Sequence, residues 1–435
     1  MITRFLAGAA CAALFGLTVP VSAATEPELP GAQIQVSPSA VQAVNAFYAS
    51  RRGSPLWLRS GADSNAAREF IGLLMRAPLD GFESGPSLAM RAQDLIVRAQ
   101  SGDIDALGAA DRLLSAAWVS YVQELQRPPS GMVYADTWAS PRQDSPMQIL
   151  QRAATAPSLS AHVRSVSQVN PLYAQLRDAA WAQMQSNGGQ IDPRVLTSLD
   201  RAREHPFQRK YVMVDAAAAR LYMIEDGQIV DSMKVVVGKA GPHTQTPMLA
   251  STIYYATLNP YWHVSDDLVQ SLIAKNVLQQ GLGYLKTHGY QVMPADKSDD
   301  QLLDPSKIDW HAVANGALKV RVRELPGPAN SMGRVKFGFP NAWDIYLHDT
   351  PVKELFTQDD RDLSHGCIRL QDAERLAHWM LGRDPRAVSS EPEQNVTLPT
   401  PVPIYITYLT AQAHDGQLSY VDDIYGRDSE VAALR

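Results

Sequence analysis

The sequence predicts an α+β protein: an all-α N-terminal half followed by a mostly β half with an inserted segment. Three observations lead there. Apolar residues recur at helical spacing through residues 31–200. After His205 the pattern changes to short β-branched and aromatic runs bounded by Gly- and Asp-containing turns. Between Val264 and Trp310, helical and polar sequence interrupts those strands. The 435 residues suffice for two or three domains with a buried core, and 45% hydrophobic against 19% charged residues exclude a mainly disordered chain. A net charge of −6 argues against nucleic acid as partner. The two cysteines, Cys11 and Cys367, exclude a disulfide scaffold and any multi-cysteine metal cluster.

Residues 1–24 read as a secretory signal peptide. Arg4 is the n-region charge, Phe5 to Val19 the apolar run, Pro20 its end, and Val21-Ser22-Ala23 a small-x-small cleavage site. An uncleaved anchor and a lipoprotein signal at Cys11 are the alternatives. Cleavage would leave no stable membrane span, and Cys367 as a lone thiol in an oxidising compartment. Such a thiol is either buried and inert or kept for chemistry.

In the helical half, Ser37-Pro38 is a start signal, followed by Val41, Val44, Phe47 and Tyr48 at helical spacing. Further helices are expected over Ala66 to Met75, Leu88 to Ala99 and Ala106 to Gln126, the last ended by Pro128-Pro129-Ser130-Gly131. Leu79 to Phe82 reads as a turn. Pro146 to Ala154, Leu159 to Ser167 and Pro171 to Met184 complete a bundle-like set. No acid, His or Cys cluster appears here, so this half reads as a scaffold or partner-contact domain.

Ser186 to Gly189 marks a loop. Strands are expected over Tyr211 to Val214, Arg220 to Ile224 and Ile229 to Val237, with Glu225-Asp226-Gly227-Gln228 as a hairpin turn. Leu318 to Val322, Val335 to Phe339, Asp344 to His348, Ile404 to Thr410 and Leu418 to Val421 follow, the last two flanking Asp415-Gly416.

The chemistry concentrates in Tyr346-Leu347-His348-Asp349 and Ser364-His365-Gly366-Cys367-Ile368-Arg369. A strand is expected to end at His348, and a helix to begin soon after Cys367, where the helix dipole would favour a thiolate. A cysteine nucleophile needs a base, because a free thiol with a pKa of about 8.5 is mostly protonated at neutral pH. His348 can be that base. The nucleophile also needs oriented N–H donors for the oxyanion, and the amides of Gly366 and Cys367 are the candidates. His365 and Ser364 are assigned to shaping the site. Arg369 can bind a carboxylate or favour the thiolate, and Tyr346 shares a strand face with His348. Two alternatives stand beside this: His348, His365 and Cys367 binding zinc with Asp349, or Cys367 simply packed in the core.

His348 followed by Ser364-His365-Gly366-Cys367 resembles the signature of L,D-transpeptidases with the YkuD-type catalytic domain. Arg334 to Asn341 running into Asp344 to Thr350, Asn259-Pro260-Tyr261-Trp262, and Asp423 to Asp428 resemble the YcbB-like subgroup, as does the helical half as its scaffold domain. The resemblance implies a catalytic domain over residues 209–428 with a capping segment at 264–331. It implies a periplasmic enzyme with Cys367 as nucleophile and His348 as proton carrier, without cofactor or metal. Asn259, Trp262, Tyr346 and Arg369 would bind substrate. The implied partners are peptidoglycan stem peptides, a donor tetrapeptide and an acceptor diaminopimelate amine, with cell-wall synthesis proteins beside them. The products would be 3→3 links, or 1→3 links in a variant, and carbapenems would acylate the cysteine. Hydrolysis by the same cysteine, and a non-catalytic wall scaffold, are the competing functions.

Overall fold

The computed structural model describes residues 36–432 except 60, 62, 63 and 386–390; the signal-peptide expectation lies outside the described residues. The N-terminal part contains α1 (Pro38–Ser50), α2 (Asn65–Arg76), α3 (Gly85–Gln100), α4 (Ile104–Leu125), α5 (Pro146–Thr155), α6 (Leu159–Gln168), α7 (Pro171–Ser186) and α8 (Pro193–Ala202). All but α3 start on a Ser, Asp or Asn whose side chain accepts a first-turn N–H, and Ser145 with Gln148 forms a full capping box. The apolar faces meet around Trp57, Phe70, Trp118 and Tyr121, with Trp57 stacked on Phe70 at 5.0 Å. Two buried carboxylates tie the bundle together. Asp111 accepts the N–H groups of Leu56, Trp57 and Leu58, each at 2.8 Å. Asp80 accepts the hydroxyls of Tyr121 and Tyr173 at 2.8 and 2.6 Å.

This half is not purely helical. Strand β1 (Val133–Tyr134) leaves it to pair in parallel with β5 (Leu249–Leu258) of the other half. Helix α8 was not expected from the sequence. It joins the halves through Arg201, which bonds to the Tyr408 carbonyl at 3.2 Å and to Asp428 at 2.6 Å.

The β half comprises β2 (Lys210–Asp215), β3 (Arg220–Glu225), β4 (Gln228–Gly238), β5, β6 (Trp262–Val264), β7 (Tyr290–Pro294), β8 (Val320–Glu324), β9 (Val335–Phe337), β10 (Leu347–His348), β11 (Asp362–Ser364), β12 (Ile368–Leu370), β13 (Gln394–Thr407), β14 (Ala411–His414) and β15 (Gln417–Tyr420). The main sheet runs β1-β5-β13-β2-β3-β4-β12-β10-β9, and β9 pairs back onto β5, so the path closes on itself. Closure between β9 and β5 removes most open edges that would template aggregation, with β1 branching off β5 and β11 off β4. The core holds Val235, Phe337, Leu347, Ile368 and Ile404 with helix α9 (Ala373–Leu381). The expected hairpin between β3 and β4 is present, with Asp226 and Gly227 at φ +52° and +74°. Strand β5 was not expected, and β13 is longer than its expected C-terminal piece.

The inserted segment is not only helical. Strands β6, β8 and β7 form a separate three-stranded sheet backed by short helices, and Ile273, Trp310 and Val322 belong to its small core. One more correction concerns the site. Between Cys367 and helix α9 lies strand β12, and the helix is capped by Asp372. Cys367 therefore does not sit at a helix N-terminus.

Candidate active site

Strand register assembles the site. Leu347 pairs with Ile368, and His348 with Arg369, in parallel; Leu347 pairs with Phe337, and His348 with Lys336, antiparallel. Side chains alternate across a strand. Since Leu347, Ile368 and Phe337 enter the core, Lys336, His348 and Arg369 share the other face as one row. One row along are Tyr346 and Cys367. The first row continues through Thr257, opposite Lys336, and Asn395, whose side chain accepts the Thr257 hydroxyl at 2.7 Å. All of these line a cleft of about 1540 Å³ whose other wall comes from the inserted segment, including Trp262, Asp266 and Asp267.

His348 is buried at the cleft floor. Its Nδ1–H donates to the Asp349 carbonyl at 2.6 Å, which leaves Nε2 with a free lone pair. The Asp349 carboxylate is held in turn by Lys353 at 2.7 Å and the Arg334 N–H at 2.9 Å. Burial, then the cations Arg369 and Lys336, push the His348 pKa down to about 3. Cys367 is half-buried. Burial pushes its thiol up, while the Tyr346 backbone N–H and hydroxyl, Lys336 and Arg369 pull it down; the net direction is up. The Trp262 side chain bonds to the Tyr346 hydroxyl in turn. The resting pair is thus a neutral thiol beside a neutral imidazole.

The Ser364–Cys367 turn is pinned from several sides. The Ser364 hydroxyl donates to the Cys367 carbonyl at 2.6 Å and accepts the Gly366 N–H at 3.1 Å. The Gly366 amide is therefore engaged and does not serve as the expected oxyanion donor in this state; the Cys367 amide remains. Gly366 has φ +113°, and a Cβ there would meet Ile345 Cγ2 at 3.2 Å, so the turn needs glycine. The Thr246 hydroxyl donates to the Gly366 carbonyl at 2.9 Å and accepts the Gly238 N–H at 2.9 Å. The Tyr425 hydroxyl donates to the Gly238 carbonyl and accepts the Thr246 N–H. The C-terminal Asp423 to Asp428 stretch thereby buttresses the loop beneath the turn.

Trp262, Tyr346, Ser364, His365 and Arg369 line the cleft with Cys367 and His348, and His365 is exposed. Asn259 does not line it. With φ +48° and its N–H bonded to the Arg334 carbonyl at 3.1 Å, Asn259 is a turn residue leading into β6. Among the described residues no group of three His, Cys, Asp or Glu side chains is placed to hold a metal ion. Lys336, Thr246 and Tyr425 were not picked out as site residues from sequence. Lys336 stood inside the Arg334 to Asn341 stretch as the polar middle of Val335-Lys336-Phe337, a pattern that says nothing of which strand lies beside it.

With this geometry in place, comparison with known proteins defines the class. A family model described as the L,D-transpeptidase catalytic domain, YkuD, matches residues 209–404. A second, described as a Scaffold domain, matches residues 42–179. The chain thus combines an L,D-transpeptidase catalytic domain with a Scaffold domain. A candidate L,D-transpeptidase of Haemophilus influenzae is 26% identical over 396 residues, covering 88% of this chain and 78% of that protein. Among solved structures, an L,D-transpeptidase from Mycobacterium smegmatis is 15% identical, with a TM-score of 0.23 over 46% of this chain and 58% of that one. One from Xylanimonas cellulosilytica is 16% identical, with a TM-score of 0.19 over 54% and 79%. An L,D-transpeptidase in complex with avibactam as a carbamoyl enzyme is 12% identical, with a TM-score of 0.23 over 47% and 51%. The chain thus spans little more than half the length of two of these three solved relatives.

Proposed function

We propose that the protein cross-links peptidoglycan stem peptides through an acyl-enzyme on Cys367. The observation that carries this is the shared strand face: a half-buried thiol and a histidine with Nε2 free, both opening into one cleft. His348 Nε2 takes the thiol proton as Sγ attacks the carbonyl of the third residue of a donor tetrapeptide. The Cys367 amide faces the developing oxyanion's charge. Collapse breaks the peptide bond, and His348 returns the proton to the departing D-Ala amine, leaving a thioester. The side-chain amine of diaminopimelate in a second stem then attacks the thioester, gives its proton to His348, and expels the thiolate, which His348 reprotonates. The product is a 3→3 link. We place the reaction in the periplasm, in keeping with the apolar N-terminal stretch and with the location of the wall.

Incubation with purified disaccharide-tetrapeptide, followed by mass spectrometry, tests this. Dimer is expected. Tripeptide monomer alone would make the enzyme an L,D-carboxypeptidase, and a dimer linked through the first residue would make it a 1→3 enzyme. Cys367→Ala should abolish product with the fold intact, and His348→Ala should slow thioester formation by about 10²–10⁴-fold. Full turnover by Cys367→Ala would overturn the mechanism.

A further inference from the structure

Two cations of the site exchange no proton in the proposed reaction, although both bias the protonation of His348 and Cys367. Lys336 and Arg369 flank His348 in one row, each on a strand directly paired to β10. Both line the cleft. Neither has a hydrogen-bond or ion-pair partner among the described residues; the Lys336 ammonium lies 4.0 Å from the centre of the Tyr346 ring. The nearby Glu393 carboxylate is bonded to His263 at 3.1 Å. Glu393 and Asp344 act on Lys336 only from a distance, and half-buried cations with no carboxylate bonded to them are well suited to an anionic ligand.

The chemistry says which anion. Resting on the proposed transpeptidase reaction, the scissile carbonyl must lie on Sγ, in the row of Tyr346 and Cys367. The leaving amine must come within hydrogen-bond reach of His348 Nε2, in the next row, about 7 Å further along the strands. The departing residue therefore lies over the Lys336–His348–Arg369 row. Its α-carboxylate is two bonds from that amine. Neighbouring strands are about 4.8 Å apart, so the long Lys336 and Arg369 side chains reach it from either side of His348.

We infer that Lys336 and Arg369 form a clamp for the terminal carboxylate of the departing residue, and so select donors whose chain ends one residue after the attacked carbonyl. A donor extended by a further residue would present a neutral amide to two half-buried cations. The clamp is a specificity device: it reads the chain end and leaves proton transfer to His348.

The test compares thioester formation on Cys367, in single-turnover mass spectrometry, from disaccharide-tetrapeptide with a free terminal carboxylate and from the same compound with a terminal carboxamide. The wild-type protein should prefer the carboxylate by about 10- to 100-fold in kcat/KM, the scale of charge-assisted hydrogen bonds. Lys336→Met and Arg369→Gln should each lose more rate on the carboxylate donor than on the carboxamide, so the preference collapses whatever happens to the basal rate. Lys336→Arg should restore it. Alkylation of Cys367 by neutral iodoacetamide, with the melting temperature, checks that each variant keeps its site. Equal use of both donors by wild type, or equal loss on both donors in Lys336→Met, would overturn the clamp while leaving the transpeptidase reaction standing. No thioester from either donor would overturn that reaction, and the clamp with it.

Discussion

The protonation state of the His348–Cys367 pair makes a quantitative prediction about pH. An ordinary histidine, with a pKa of about 6.5, would be about nine-tenths protonated at pH 5.5 and useless as a base. His348, pushed down to about 3 by burial and by Arg369 and Lys336, stays more than about 99% neutral there. The thiol is raised, so the reactive form, neutral imidazole beside neutral thiol, persists across the range. Acylation by a carbapenem, followed through the loss of its ring absorbance under single-turnover conditions, should keep the same second-order constant within about twofold from pH 5.5 to 7.5. An ordinary base would lose about tenfold. The same shift acts on stability. The unfolded chain protonates its histidine below about 6.5 and the folded one only near 3, so stability is lost as pH falls through that window, by roughly 5 kcal/mol at the limit. Asp215 and Glu204, both raised to about 7 by burial, act oppositely as pH rises toward 7, so the His348 share is read as the difference between wild type and His348→Gln. A break in the acylation profile between pH 6 and 7, or alkylation of Cys367 that stays fast at pH 5 as a preformed thiolate would, refutes this account.

Three structural predictions accompany it. Gly366→Ala forces a side chain into φ +113° and against Ile345, and should cost about 1–3 kcal/mol together with most of the acylation rate; wild-type rate and melting temperature would show that the turn tolerates a Cβ. Tyr425→Phe leaves the buried Gly238 carbonyl without its donor and should cost about 1–3 kcal/mol in urea unfolding, with slower acylation because Thr246 no longer fixes Gly366; unchanged acylation would separate the C-terminal stretch from the site. Asp111→Ala strips the acceptor from three backbone N–H groups at once and should lower stability by more than about 3 kcal/mol, read from the denaturation midpoint; a loss under about 1 kcal/mol would mean those amides find other partners.

Much of the fold was legible in the chain because its signals are local. Helix starts such as Ser37-Pro38, the 3.6-residue recurrence through Phe47 and Trp118, and the Asp226-Gly227 turn each depend on a few neighbouring residues. Strand β5 escaped because Leu249–Leu258 is buried on both faces for most of its length and shows no alternation. Strand β12 escaped because three residues are too few to show a period, and the helix after it masked it.

For the site, the sequence alone singled out the candidate groups: a thiol, a histidine on a strand end, and a glycine turn between Ser364 and Cys367. Only the tertiary structure decided how they are arranged. Register between strands distant in sequence put Lys336 and Arg369 on either side of His348, and burial set both protonation states. It also spent the Gly366 amide on Ser364 and sent Asn259 to a turn outside the cleft. Pairing register and desolvation are properties of the assembled sheet, and no short stretch of chain carries them.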